Sequence, residues 1–327
     1  VNDVGILVFD SSDQSIIQAM VSTSSNLSPE RALLIFNPSS GVTTSSPIQL
    51  MQVITAMQSN QITPEVVLIQ PGVDLSEIIA RSLRRGIRLF VASGGDGTVN
   101  STAASLVGSR AQLGIIPTGT RNNVALSLGI PADIQAAVAL LANGRRLKVD
   151  IGVVENEKGR RVFLESCTLG LLSALFPSAD DIQHGNLAAI GDFLATLFST
   201  PPTQMHLKIN NRHEIDTQGH VIIISNMPYF GPNYKIAAKN SFVDGVLDVL
   251  VFANLTKLEL LGTVVQRPDI ALEDPRIHHY RVKSVEASTL PPMPVTVDGL
   301  SMGNGPLRIT IQRRALTVIT GSLPDIP

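Results

Sequence analysis

A parallel α/β domain followed by a β-rich domain is the architecture this sequence predicts, on three observations. Short apolar runs alternate with helix-length amphipathic segments through the first part of the chain. From about Gly144 strand candidates follow one another with turn-like joins. The 327 residues also exceed the roughly 100–200 that one domain usually holds.

The elements can be taken in order. Val4–Phe9 and Ala32–Phe36 read as short strands, with the polar linker Ser22–Pro29 between them. The second run ends in the turn-forming cluster Asn37-Pro-Ser-Ser-Gly41. Pro47–Met57 has helical spacing, with Ile48, Met51, Ile54 and Ala56 expected on one buried face. Val66–Ile69 reads as a buried strand and Leu75–Leu83 as a helix. Arg88–Ala92 is a strand running into Gly94-Gly95, and Leu113–Ile116 is another, followed by Pro117. This alternation is that of a parallel sheet covered by helices.

The boundary is expected at 143/144, giving an α/β domain over 1–143 and a β-rich, sandwich-like one over 144–327. Strand candidates in the second part are Val162–Thr168, Met205–Ile209, Val221–Ser225, Val246–Phe252, Arg281–Ala287, Pro294–Val297, Leu307–Ile311 and Ala315–Ile319. Helices are expected over Leu187–Phe198 and Thr256–Val265. The apolar stripe of the former either packs on the sheet or borders an acyl-chain groove.

Composition excludes several classes. At 44% apolar and 16% charged residues, the chain is no disordered polymer. It has no Trp and three Tyr, hence no aromatic platform for single-stranded nucleic acid. A net charge of −2 with scattered Lys and Arg gives neither a nucleic-acid footprint nor a polybasic membrane handle. Cys167 is the only cysteine, so no intrachain disulfide forms, and its apolar run makes it a small buried hydrophobe. Neither a secretory leader nor an apolar run of the ~18 residues a bilayer span needs is visible. The cytoplasm is the default expectation. The six histidines show no metal-ligand spacing, and His278-His279 reads as a surface pair.

The most informative segment is Ser93-Gly94-Gly95-Asp96-Gly97-Thr98-Val99-Asn100, placed at the end of a strand and the start of a helix over 99–107. Three glycines in four positions let the backbone approach a ligand closely, and the free N–H groups of the helix start face an anion. Asp96 is placed to orient a magnesium-bound phosphate or an acceptor hydroxyl, and Thr98 offers its own hydroxyl. The spacing is neither the dinucleotide pattern nor the Walker loop. A second polar loop, Pro117-Thr-Gly-Thr-Arg-Asn-Asn123, also follows a strand. Two such loops at the carboxyl ends of one parallel sheet can converge on one ligand.

Asn37-Pro-x-Ser-Gly41, Gly94-Gly-Asp-Gly-Thr-x-Asn100 and Gly114-Ile-Ile-Pro-x-Gly-Thr-x-Asn122 occur in the order found in diacylglycerol and sphingosine kinases and their bacterial relatives. Lys148–Gly152, Phe163–Gly170, Asp244-Gly-Val-Leu-Asp248 and Val297-Asp-Gly299 also resemble that family. The resemblance spans about 31–321. It implies a nucleotide-binding α/β domain, a β-rich domain, and an active site in the cleft between them. It further implies ATP as phosphoryl donor, Mg2+, and a lipid acceptor presented at a membrane surface. Gly94, Gly95, Asp96, Gly97, Thr98, Val99 and Asn100 would cradle the phosphates, with Thr120 adding a contact. Asp244 would hold magnesium with backbone carbonyls near Ser241 and Val246.

Three positions depart from the family pattern. Asn123 stands where the second loop usually carries Asp, Gln70 lies near a usual Thr, and Leu300 replaces the Glu that serves as presumed general base. Leucine accepts no proton, which leaves Asp298 and Asp96 as the candidate catalytic carboxylates. The reading is an ATP-dependent lipid kinase. Its rivals are a non-catalytic nucleotide or lipid sensor and a kinase for a soluble acceptor.

Overall fold

The computed structural model describes residues 29–41, 46–173, 202–230, 234–236, 241–257, 259–260 and 274–323. The strand expected at Val4–Phe9, nearly all of the linker at 22–29 and the helix at 187–198 lie outside them, as does most of the helix at 256–265.

The first part runs β1 (Glu30–Phe36), α1 (Ser46–Ser59), β2 (Ile62–Leu68), α2 (Leu75–Arg84), β3 (Leu89–Gly94), α3 (Asp96–Leu106) and β4 (Gln112–Pro117). The four strands pair in parallel in the order β2-β1-β3-β4. Strand side chains alternate between faces, so each run serves two cores. Leu33, Ile35, Phe90 and Ala92 pack with Ile79 of α2 and Val99, Ala103 and Leu106 of α3. Ala32, Leu34, Leu89 and Val91 pack on the opposite side with Val53, Ala56 and Met57 of α1.

Two expectations are corrected here. The buried face of α1 is Val53, Ala56 and Met57, whereas Ile48 and Met51 are 64% and 61% exposed. Both helix faces carry apolar side chains, so spacing alone does not choose between them. The Val66–Ile69 run belongs to the edge strand β2, where Val66 and Leu68 are exposed. Pro64 is tolerated there because an edge strand leaves one row of hydrogen-bonding groups unpaired.

Then come α4 (Asn123–Ser127), α5 (Ile134–Asn143), β5 (Arg145–Asn156), β6 (Gly159–Phe163) and β7 (Ser166–Gly170). Asp133 caps α5 by accepting from Ala136 N at 2.9 Å. The strand expected over 162–168 is therefore two strands, broken at Leu164-Glu165. The β-rich part continues with β8 (Thr203–Ile209), β9 (His213–Ser225), β10 (Tyr229–Phe230), β11 (Tyr234–Lys235), β12 (Leu247–Ala253), β13 (Ile277–Val282) and β14 (Ser284–Leu290). It closes with β15 (Pro294–Val297), β16 (Leu300–Asn304) and β17 (Leu307–Thr320).

The expected strands at 307–311 and 315–319 are one strand, β17, whose pairing with β5 shifts between Gln312 and Leu316 as at a β-bulge. That strand joins the two parts. It runs antiparallel to β5 and β14 and reaches β4 in parallel at Thr317 and Val318. Cys167 is buried in the core of the β-rich part with Phe163, Leu169, Ile222 and Ile224, and burial pushes its thiol up.

Candidate active site

Three loops meet at the carboxyl ends of β1, β3 and β4. Gly41 has φ +71°, and a β-carbon there would lie 2.5 Å from Thr118 O, so the first loop rests on the third. A β-carbon on Gly119 would lie 2.3 Å from the Gly95 α-carbon, so the second and third loops meet backbone to backbone. Side chains tie the same loops. Asn37 Nδ2 donates to Thr98 Oγ1 at 3.1 Å, the Ser40 and Thr118 hydroxyls share a hydrogen bond at 3.2 Å, and Asn122 bonds Gly119 through both amide atoms.

The loops enclose a cavity of about 480 Å3 lined by Asn37, Ser40, Gly95, Gly97, Thr98 and Thr120, among others. Gly97 faces open space, with no atom within 4 Å of where a β-carbon would stand. The Thr98 and Val99 amides both bond back to Gly95 O, whereas the amides of Asp96 and Gly97 belong to the first turn of α3, which has no helical acceptors for them. Such a helix start favours a phosphate-sized anion.

Behind the glycine loop sits a group of carboxylates. Asp96 caps α4, its two oxygens accepting from Asn123 N at 3.1 Å and Val124 N at 3.0 Å. Asp298, in a left-handed conformation with φ +45°, accepts from three consecutive amides: Leu164 at 2.9 Å, Glu165 at 3.0 Å and Ser166 at 2.9 Å. Those bonds hold the bend between β6 and β7. Burial pushes the Asp298 carboxyl up to about 6, against the pull of the same amides. Glu165, 9% exposed, extends from the bend toward the start of α4, where Asn123 Nδ2 donates to its Oε1 at 3.3 Å. Asn100 faces it from α3. Burial, with the Asp96 and Asp298 charges added, pushes Glu165 up to about 8.

Asp244 lies in a separate turn. One of its oxygens accepts from Val246 N at 3.0 Å, and the other is held by the Arg281 guanidinium. Burial raises its carboxyl, while Arg281 pulls the other way. The Ser241 hydroxyl donates to Asn226 O at 3.1 Å. Among the described residues no group of three or more His, Cys, Asp or Glu side chains is arranged to hold a metal. The turn presents a guanidinium beside Asp244, where the resemblance implies magnesium.

Of the residues singled out in the sequence, Gly95, Gly97, Thr98 and Thr120 line one cavity. Gly94 is buried at the end of β3, where a β-carbon would meet the Thr98 side chain at 2.4 Å. Val99 points into the core, and Asn100 turns toward Glu165. Asp96 and Asp298 both come near Glu165 but are held by backbone amides. Leu300 begins β16 with its side chain 60% exposed. Glu165 itself does not stand out in the sequence; its one signal is a lone charge within an apolar run.

Comparison with known proteins points the same way along most of the chain. The diacylglycerol kinase catalytic domain matches residues 31–154, and the YegS C-terminal NAD kinase beta sandwich-like domain matches residues 178–320. A diacylglycerol kinase of Staphylococcus carnosus is 24% identical over 304 residues, covering 89% of this chain and 95% of that protein. An uncharacterized protein of Synechocystis is 27% identical over 241 residues, 71% of this chain but only 55% of that protein's length. In fold, the crystal structure of a diacylglycerol kinase from Bacillus anthracis superimposes with a TM-score of 0.69 at 19% identity, covering 89% of this chain and 97% of that one.

Proposed function

The chain belongs to the diacylglycerol kinase catalytic-domain family, and on that footing we propose that it transfers the γ-phosphoryl group of ATP to the hydroxyl of a diacylglycerol-like lipid. ATP enters as its magnesium complex, a substrate of the reaction. The observation that carries the reading is the contact of Gly95 with Gly119, which joins two strand-end loops around one cavity with Gly97 open to it.

Phosphoryl transfer depends chiefly on positioning and on neutralising charge on the transferred group. The first turn of α3 supplies amides directed at the phosphates. The Thr98 hydroxyl, oriented by Asn37, and Thr120 border the same space. The acceptor is a lipid presented at a membrane surface, and no described helix is long and apolar enough to cross a membrane.

Isothermal titration of ATP or ADP against wild type and Gly97→Val tests the cradle. Binding is expected in the wild type only, and equal affinity in both proteins would overturn the loop assignment. Nucleotide binding with no transfer to any lipid would instead identify a non-catalytic sensor of the same fold.

A further inference from the structure

Three carboxylates converge behind the glycine loop, and they are not equivalent. Asp298 is held by three backbone amides and Asp96 by two, so both are fixed to the framework. Glu165 differs. Its carboxyl accepts from the side-chain amide of Asn123 and faces that of Asn100, groups that can turn. That carboxyl reaches from the β6–β7 bend to the start of α4 and faces α3, the two helices that begin at the strand-end loops. The charged groups facing it are Asp96 from α3 and Asp298 from the turn before β16; Asn100 and Asn123 are neutral. Packing gives no reason for a third acid here, since a buried carboxyl beside two others is costly to ionise. The Asn100 Oδ1 atom is buried with no hydrogen-bond partner, so the side chains around Glu165 do not satisfy one another.

We propose that Glu165 is the catalytic residue that takes the proton from the lipid hydroxyl, the task that Leu300 has no group to perform; this rests on the kinase reading above. In the step, the acceptor oxygen bonds to the γ-phosphorus as the bond from that phosphorus to the β–γ bridging oxygen breaks. ADP leaves with that electron pair. The hydroxyl proton passes to the Glu165 carboxylate and then to solvent. Asp298 acts as a positioning residue, since its bonds to the 164–166 amides aim Glu165 at the start of α4. Because the Glu165 carboxyl is raised to about 8, its proton-accepting fraction grows as pH rises through that value.

The test uses the full chain as wild type, Glu165→Gln and Glu165→Asp. Transfer from labelled ATP to diacylglycerol in mixed micelles is followed across neutral to alkaline pH, beside ADP titration and thermal melts. Glu165→Gln is expected to keep ADP affinity and KM, to lose about 10²–10⁴-fold in kcat, and to lose the rising limb near pH 8. Glu165→Asp keeps part of the turnover with the limb displaced. Wild-type turnover and an unchanged limb in Glu165→Gln would overturn the proposal, as would a fall in kcat with the limb intact, which marks a structural role. If the Gln variant does not fold, the Asp variant decides: an unchanged limb and kcat overturn the assignment. Wild type that labels no lipid would overturn the kinase reading, and this proposal with it.

Discussion

Asp298 Oδ1 accepts a hydrogen bond from the backbone amide of Glu165 at 3.0 Å, the middle of three such bonds that turn the chain between β6 and β7. One carboxylate thereby determines where another points, across 133 residues of sequence. Removing it should therefore affect both the fold and the chemistry.

Asp298→Asn replaces an acceptor-only group with one that also donates, leaving at least one of three buried amides opposed by another donor. The expected loss is about 1–3 kcal/mol of stability, read by urea denaturation, together with a fall in transfer activity. Stability equal to wild type would show that the bend holds itself.

The pH dependence of stability has a definite sign. Both Glu165 and Asp298 are raised, to about 8 and about 6, above their ordinary values of 4.5 and 3.8. A raised acid contributes its stability in full below the unfolded value and loses it as pH climbs through the folded one. The Glu165 contribution therefore fades from about pH 4.5 to about pH 8. Glu165→Gln removes that contribution, so its melting temperature should gain on wild type steadily over the same window. A difference that is flat with pH would contradict the burial account.

Two glycines of the cradle should respond in opposite ways. Gly119→Ala places a carbon 2.3 Å from the Gly95 backbone, so the loops must part, at about 1–3 kcal/mol. Gly97→Ala meets nothing within 4 Å and should melt like wild type while binding nucleotide more weakly. Melting curves with and without ADP separate the two. Equal melting temperatures for the two variants would show that the Gly95–Gly119 contact is not tight.

Much of this site is legible in the sequence, and what is not has a physical cause. The cradle is visible because Gly94, Gly95, Gly97 and Gly119 are needed for local reasons, at strand ends. Glu165 is not, because the run Val162–Thr168 around it reads as one strand, and the bend there depends on a carboxylate remote in sequence. The α1 face is misread at Ile48 and Met51 because both sides of the helix carry apolar residues. The join of 307–311 to 315–319 is hidden by polar residues at the bulge, where Arg314 takes φ +51° and its amide bonds Asp150. The metal role of Asp244 comes from the resemblance alone, and its Arg281 partner, 37 residues away, is not visible in the sequence.

That ion pair gives a further expectation. Without nucleotide, Mg2+ should leave the wild-type melting temperature unchanged, because Arg281 already neutralises Asp244. Arg281→Met should introduce a magnesium-dependent rise that Arg281→Met combined with Asp244→Asn abolishes. A magnesium-dependent rise in wild type that Asp244→Asn removes would return the metal to this turn.

The measurement that bears most directly on the central claim is the fate of label from γ-labelled ATP, with purified wild type and magnesium, over a panel of lipid and soluble acceptors. The account predicts label in a lipid phosphate, formed from diacylglycerol or a close relative and absent with Gly97→Val. Label appearing only in a soluble acceptor, or in no acceptor at all, would contradict it.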